Sequence, residues 1–197
     1  MNPENTALIL IGYQNDYFEA DGILHGVIES DAKAVLANTL EMLNALADSK
    51  LTIISTPILF TDDYQELDQP VGILKTIKDV GAFKRSSYGG ETIAELKSFG
   101  DRIIEVPGKR GLNAFARTEL ENVLRKHGIQ HVVLAGVVTS ICIDSTGRSA
   151  HERGFSVYVL RDATCGRTDM EQDFYCENIF PLYANVLDHH ALIEAIR

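Results

Sequence analysis

The chain has 197 residues, with 18 Lys plus Arg against 28 Asp plus Glu, a formal net charge of -10 and three cysteines; this length predicts one domain over 1–197, able to bury about 70% of its unfolded-chain surface without a disulfide or metal staple. An acidic balance with no run of Lys and Arg argues against a nucleic-acid partner. No stretch reaches the roughly 18 continuous apolar residues of a membrane helix, and Asn2, Glu4 and Asn5 stand where a signal peptide carries positive charge, so no membrane association and a cytoplasmic address are expected.

In chain order, Ala7-Leu8-Ile9-Leu10-Ile11 is apolar on both faces, as a central parallel strand covered by helices must be. From Asp31 to Asp48 apolar residues recur at Val35, Leu36, Leu40, Leu43 and Ala47, which predicts a helix. Leu51 to Thr56 is a second strand. Thr61 to Gly100 is broken by Pro70, Gly72, Gly81, Gly89 and Gly90, and reads as short helices and loops. Arg102–Val106 is a modest strand, Glu119–His127 a helix, and His131–Ala135 a strongly apolar strand ending at Gly136. Helix resumes near Thr139, a fifth strand covers Phe155–Leu160, a helix covers Met170–Tyr183, and Asn185–Leu187 is a short strand before a last helix. The alternation predicts an α/β fold: three layers, α/β/α, around a central, mostly parallel six-stranded sheet. In such a sheet function sits at the carboxyl ends of the strands.

Three segments bring chemistry to that edge: Gly12–Phe18, Lys109–Phe115 and Gly136–Cys142. In the last, Thr139 or Ser140 can cap the new helix and leave Cys142 in its first turn, where backbone N–H groups favour a thiolate and can hold an oxyanion. Cys142 is thus either a nucleophile or a small buried residue packing helix on sheet. His151 on the same helix lies nine residues on, roughly opposite Cys142, and reads as a surface residue. Lys109, in Pro107-Gly108-Lys109-Arg110-Gly111, is either a cation for the thiol or a solvated loop charge. Cys165 and Cys176 have no Cys-x-x-Cys spacing and read as structural.

Together the segments resemble the isochorismatase-like cysteine hydrolase family, which includes nicotinamidases and carbamoyl-amide hydrolases. The matching residues are Gly12-Tyr13-Gln14-Asn15-Asp16-Tyr17, then Lys109 through Asn113-Ala114-Phe115, then Gly136 through Cys142, with Arg161-Asp162-Ala163-Thr164 similar to the family's Asp-Ala ending. The resemblance implies acyl transfer through a thioester, with Cys142 as nucleophile and Lys109 as the catalytic lysine. It further implies a cis peptide bond between Val137 and Val138, backbone N–H groups of Val138 and Cys142 as oxyanion donors, a small amide, carbamoyl or related carbonyl substrate, and a homo-oligomer. Tyr17, at the family's pocket aromatic, and Phe115 are candidates to line an apolar substrate pocket, the alternative for lone aromatics being the core.

Two departures qualify this reading. The family's catalytic aspartate aligns with Gly12, which has no side chain to carry a proton. Asp16, four residues on, is a candidate replacement acid/base, although the family's residue there more often braces the loop. Loss of a positioned acid-base is expected to slow a reaction by about 10²- to 10⁴-fold, so the alternative is an impaired member that binds a small molecule or a protein partner. Nicotinamidases also carry an Asp-x-His after the second strand, whereas here no histidine lies between His25 and His127. No metal and no other cofactor are expected, and Asp62 and Asp63 read as caps or solvated charges.

Overall fold

The computed structural model describes residues 1–28 and 30–197. Its strands are β1 (Thr6–Ile11), β2 (Thr52–Thr56), β3 (Ile104–Glu105), β4 (His131–Val137), β5 (Ser156–Cys165) and β6 (Asn185–Leu187). Its helices are α1 (Asn15–Phe18), α2 (Ala32–Ala45), α3 (Gly72–Val80), α4 (Ala94–Lys97), α5 (Leu120–Lys126), α6 (Asp144–Glu152), α7 (Asp169–Phe174) and α8 (His189–Ile196). All six strands pair in parallel, in the order β3-β2-β1-β4-β5-β6.

β1 is wholly buried and its pleat feeds two cores. Leu8 and Leu10 join Val35, Met42 and Leu43 of α2 and Leu192 of α8, while Ala7, Ile9 and Ile11 join Leu120 and Leu124 of α5 and Ala150 of α6. Each fully buried Leu or Ile contributes about 1.5–3 kcal/mol, and this two-sided demand explains why the central strands lack polar alternation.

Successive strands step outward from β1 in one direction and from β4 in the other, so the β1–β4 seam is the point where the order reverses and loops diverge into a crevice. Gly136 makes the close β1–β4 approach feasible: with φ at +115°, a Cβ there would lie 1.9 Å from the Ile11 carbonyl oxygen. The peptide bond between Val137 and Val138 is cis, as the family resemblance implied.

Several expected boundaries change. The third strand shrinks from Arg102–Val106 to two residues at the sheet edge. β5 runs five residues beyond Leu160, to Cys165, because its register against β4 jumps from the Leu134–Val159 pair to the Gly136–Thr164 pair. The long helix expected over Met170–Tyr183 is α7 followed by a π-helical turn, Tyr175–Ile179, and a 3₁₀ turn at Phe180–Leu182, where Pro181 interrupts helical bonding. The irregular segment 61–100 contains α3, an amphipathic helix whose inner face is Ile73, Leu74 and Ile77.

Candidate active site

The chain leaves β4 through the cis bond into a π-helical turn, Thr139–Ile143, which continues as α6. The Val138 carbonyl accepts from the backbone N–H groups of Ile141 and Ile143, at 3.1 and 3.2 Å, and so closes the turn that holds Cys142. Neither expected hydroxyl cap forms. Thr139 Oγ1 instead donates to Gln172 Oε1, tying the turn to α7.

Lys109 arrives from the loop that follows the edge strand β3 and runs beside the segment after β2. Its backbone bridges in parallel to Ile58, and its carbonyl accepts from the Leu59 N–H at 3.3 Å. A second anchor lies further on, where the Ala114 N–H donates to Thr146 Oγ1 of α6 at 3.1 Å. The lysine is 1% exposed, Cys142 is 8% exposed, and Nζ lies 3.3 Å from Sγ. Arg110 pairs with Glu66 at 2.7 Å, whereas among the described residues no carboxylate comes within ion-pair distance of Lys109. The polar group in contact with this buried Nζ is the Cys142 sulfur.

The other two thiols lie in different surroundings. Burial, more than any neighbouring charge, pushes Cys165 up to about 12 and Cys176 up to about 11. Both therefore stay protonated at neutral pH, in keeping with structural roles.

A narrow cavity meets the Cys142–Lys109 pair, walled by Gly12, Tyr17, Ile58, Val137 and Ile141, by Ile73, Leu74 and Ile77 of α3, and by Gly111 and Leu112. Tyr17 borders this cavity, packed at a tilt on Phe83 with ring centroids 5.1 Å apart. Burial first, and then Cys142 and Asp16, push its phenol up, so it keeps its proton. Phe115 is not in this wall. It stacks on Phe155 at 6.1 Å and lies under the Arg153 guanidinium, in the core between the sheet and α5 and α6. The apolar contribution of α3 was missed because its place depends on the fold of segment 61–100, although the spacing Ile73-Leu74-Ile77 is itself visible in the sequence.

Asp16 is not in the cavity wall either. Its Oδ2 accepts the Phe83 N–H at 2.6 Å, and its carboxylate rests against the backbone of Gly89. That contact assigns it to the loop brace and leaves the replacement acid/base role without support. Gly12 does border the cavity, in a left-handed conformation with φ at +78°. A Cβ at this position would lie 2.9 Å from both the Val137 oxygen and Val137 Cγ2. His151 is exposed, as expected, and among the described residues neither histidine nor carboxylate contributes to the cavity wall.

The class these features define is structural: a parallel α/β/α sheet with a cysteine–lysine contact at its switch point. The sequence matches the isochorismatase domain model over residues 6–191, and the chain belongs to that family of hydrolases. It is 28% identical over 181 residues to the ureidoacrylate amidohydrolase RutB of Agrobacterium fabrum, covering 83% of this chain and 77% of that protein. A cysteine hydrolase from Pseudomonas syringae pv. phaseolicola superposes with a TM-score of 0.87 at 21% identity, over 100% of this chain and 94% of the other. An isochorismatase family protein from Burkholderia thailandensis gives 0.78 at 25% identity, over 100% and 97%.

Proposed function

We propose that the protein hydrolyses a small amide or carbamoyl compound by thioester chemistry, with Cys142 as nucleophile and Lys109 as its ion-pair partner and proton carrier. The observation that carries this reading is the buried 3.3 Å contact between Nζ and Sγ at the cavity. The thiolate attacks the carbonyl carbon, and the resulting oxyanion is held by the N–H groups of Val138 and Cys142. Collapse breaks the C–N bond as the Lys109 ammonium protonates the departing nitrogen. Water then adds to the thioester while the Lys109 amine takes its proton, the thiolate leaves, and the ammonium–thiolate pair is restored. This cycle needs no acid at position 12 and no proton transfer through Asp16. The apolar wall formed by Ile73, Leu74, Ile77 and Leu112 favours a substrate whose non-reacting part is apolar or conjugated.

The amide class is drawn from the cavity chemistry together with the activity named for the Agrobacterium relative. The test is a panel of small ureido acids and primary amides, ureidoacrylate included, assayed by amine or ammonia release, with rapid-quench intact mass to detect an acyl adduct on Cys142. Hydrolysis with that adduct, unchanged after chelator treatment, is the expected result. Binding without turnover would favour the impaired family member to which Gly12 points. Failure of iodoacetamide to modify Cys142 faster than Cys165 and Cys176 near neutral pH would remove the activated thiolate altogether.

A further inference from the structure

The first turn of α8 brings two consecutive histidines against α2, in a place that shares no residue with the Cys142 cavity. His189 is 4% exposed. Its Nδ1 lies 2.6 Å from Asp162 Oδ2, and the other oxygen of that carboxylate accepts the His189 backbone N–H at 2.9 Å. An acceptor carboxylate at this distance holds a ring proton on Nδ1, which leaves Nε2, on the far side of the ring, as the nitrogen able to ligate. That buried Nε2 has no hydrogen-bond partner among the described residues. What faces it is another acceptor, Glu41 Oε2, at 3.7 Å, while Glu41 Oε1 lies 3.7 Å from Nδ1 of His190. Acceptors converging in this way repel one another unless a cation or a proton lies between them.

We propose that Glu41, His189 and His190 form a site for a borderline divalent cation of the zinc class, with Asp162 as the carboxylate that orients His189. Two imidazoles and one carboxylate are ligands such a cation prefers, with a fourth position left for water. The three donor atoms lie within 4.8 Å of one another. Tetrahedral zinc with bonds of about 2.0–2.1 Å requires spacings of about 3.3 Å, a contraction that small rotations of the exposed Glu41 and His190 side chains supply. Asp162, Asp188 and Glu41 together offset the positive end of the α8 dipole. The bound cation ties α8 to α2, whose apolar faces meet through Leu192 and Met42 in one core. The role is structural, and its outcome is independent of the amide-hydrolase reading.

The experiment is calorimetric titration of Zn²⁺ into the chelator-treated full chain carrying Cys142→Ala, which removes the competing cavity thiol, with melting temperature read in parallel. One site is expected, together with a Zn²⁺-dependent rise in Tm. His190→Ala and Glu41→Gln, both at exposed positions, should keep the metal-free Tm and weaken binding at least about tenfold, and Asp162→Asn should weaken it by about 10- to 100-fold. The proposal is overturned if no heat and no Tm shift appear up to about 100 μM Zn²⁺, the result expected if His189 instead carries a second proton and pairs with Glu41 as an imidazolium. Binding that survives both His190→Ala and Glu41→Gln overturns it equally.

Discussion

After β1, the polar side chains end on neighbouring backbone or on α2, whereas after β4 the Cys142 thiol borders the cavity. The Tyr13 hydroxyl lies 2.6 Å from Thr39 Oγ1, and Asn15 Nδ2 donates to the Tyr88 carbonyl. Gln14 Nε2 donates to the carbonyls of Ile58 and Gly90 while its Oε1 accepts the Ile58 N–H, and Asp16 accepts from Phe83. The β4 exit has valines, a cis bond and Cys142. The two exits are nevertheless coupled: Gln14 holds Ile58, Ile58 bridges to Lys109, and Lys109 meets Cys142. The difference teaches that the polar motif following β1 is architecture that aims a cation, and that a match to this motif does not by itself supply an acid or a base.

The largest effect should come from the β4 exit itself. Cys142→Ser is expected to lower kcat/KM by on the order of 10⁴-fold or more, since a nucleophile removed from a unit that acts together takes most of the rate with it. Lys109→Met should lower kcat/KM by about 10²- to 10⁴-fold and slow iodoacetamide labelling of Cys142, yet leave urea stability equal or higher. A buried charge replaced by an apolar side chain of similar length no longer needs desolvation. A loss of stability as large as the loss of rate would make Lys109 a packing residue and dissolve the contrast between the exits.

The β1 exit should respond in stability first. Gln14→Ala strands the Ile58 N–H and two carbonyls in a buried place and is expected to cost about 3 kcal/mol, read as a lower urea midpoint, with a smaller fall in kcat as Lys109 loses its support. Asp16→Asn keeps the shape and weakens the bond to Phe83; about 2 kcal/mol of stability should go, with activity per folded molecule unchanged. If Asp16→Asn instead abolished turnover in a stable protein, Asp16 would be the missing base and the brace would be incidental.

The sequence made some of this legible and left the rest to geometry. The apolar runs of β1 and β4 identified a parallel core, because burial on both faces leaves no room for polar alternation. Cys142 and Lys109 stand out as candidates at strand ends, but only the motif resemblance pairs them, since nothing in a loop sequence says that a lysine 33 positions away will point at a sulfur. Phe115 went to the core instead of the cavity because side-chain direction within a loop has no period to read. The length of β5 was hidden by its register jump. In the sequence His189 and His190 are only neighbours, and the packing of α8 on α2 adds Glu41 to them.

Gly12 is where the two exits touch, and it gives the smallest and sharpest test. A residue with a side chain costs about 1–2 kcal/mol in a left-handed conformation, with Asp toward the low end because its short polar side chain tolerates that region. Its Cβ must also push back the Val137 carbonyl and methyl, each 2.9 Å away, which belong to the strand that delivers Cys142. Gly12→Asp is therefore expected to lower stability by about 1–2 kcal/mol and to bring no gain in amide hydrolysis, because the new carboxylate enters a backbone bent to exclude it. A large gain would show that the β1 exit still accepts a catalytic aspartate and that the native protein lacks only a proton carrier. An unchanged or lower rate would leave Lys109 carrying the proton unaided, with the absent side chain at residue 12 a consequence of how closely β1 and β4 approach.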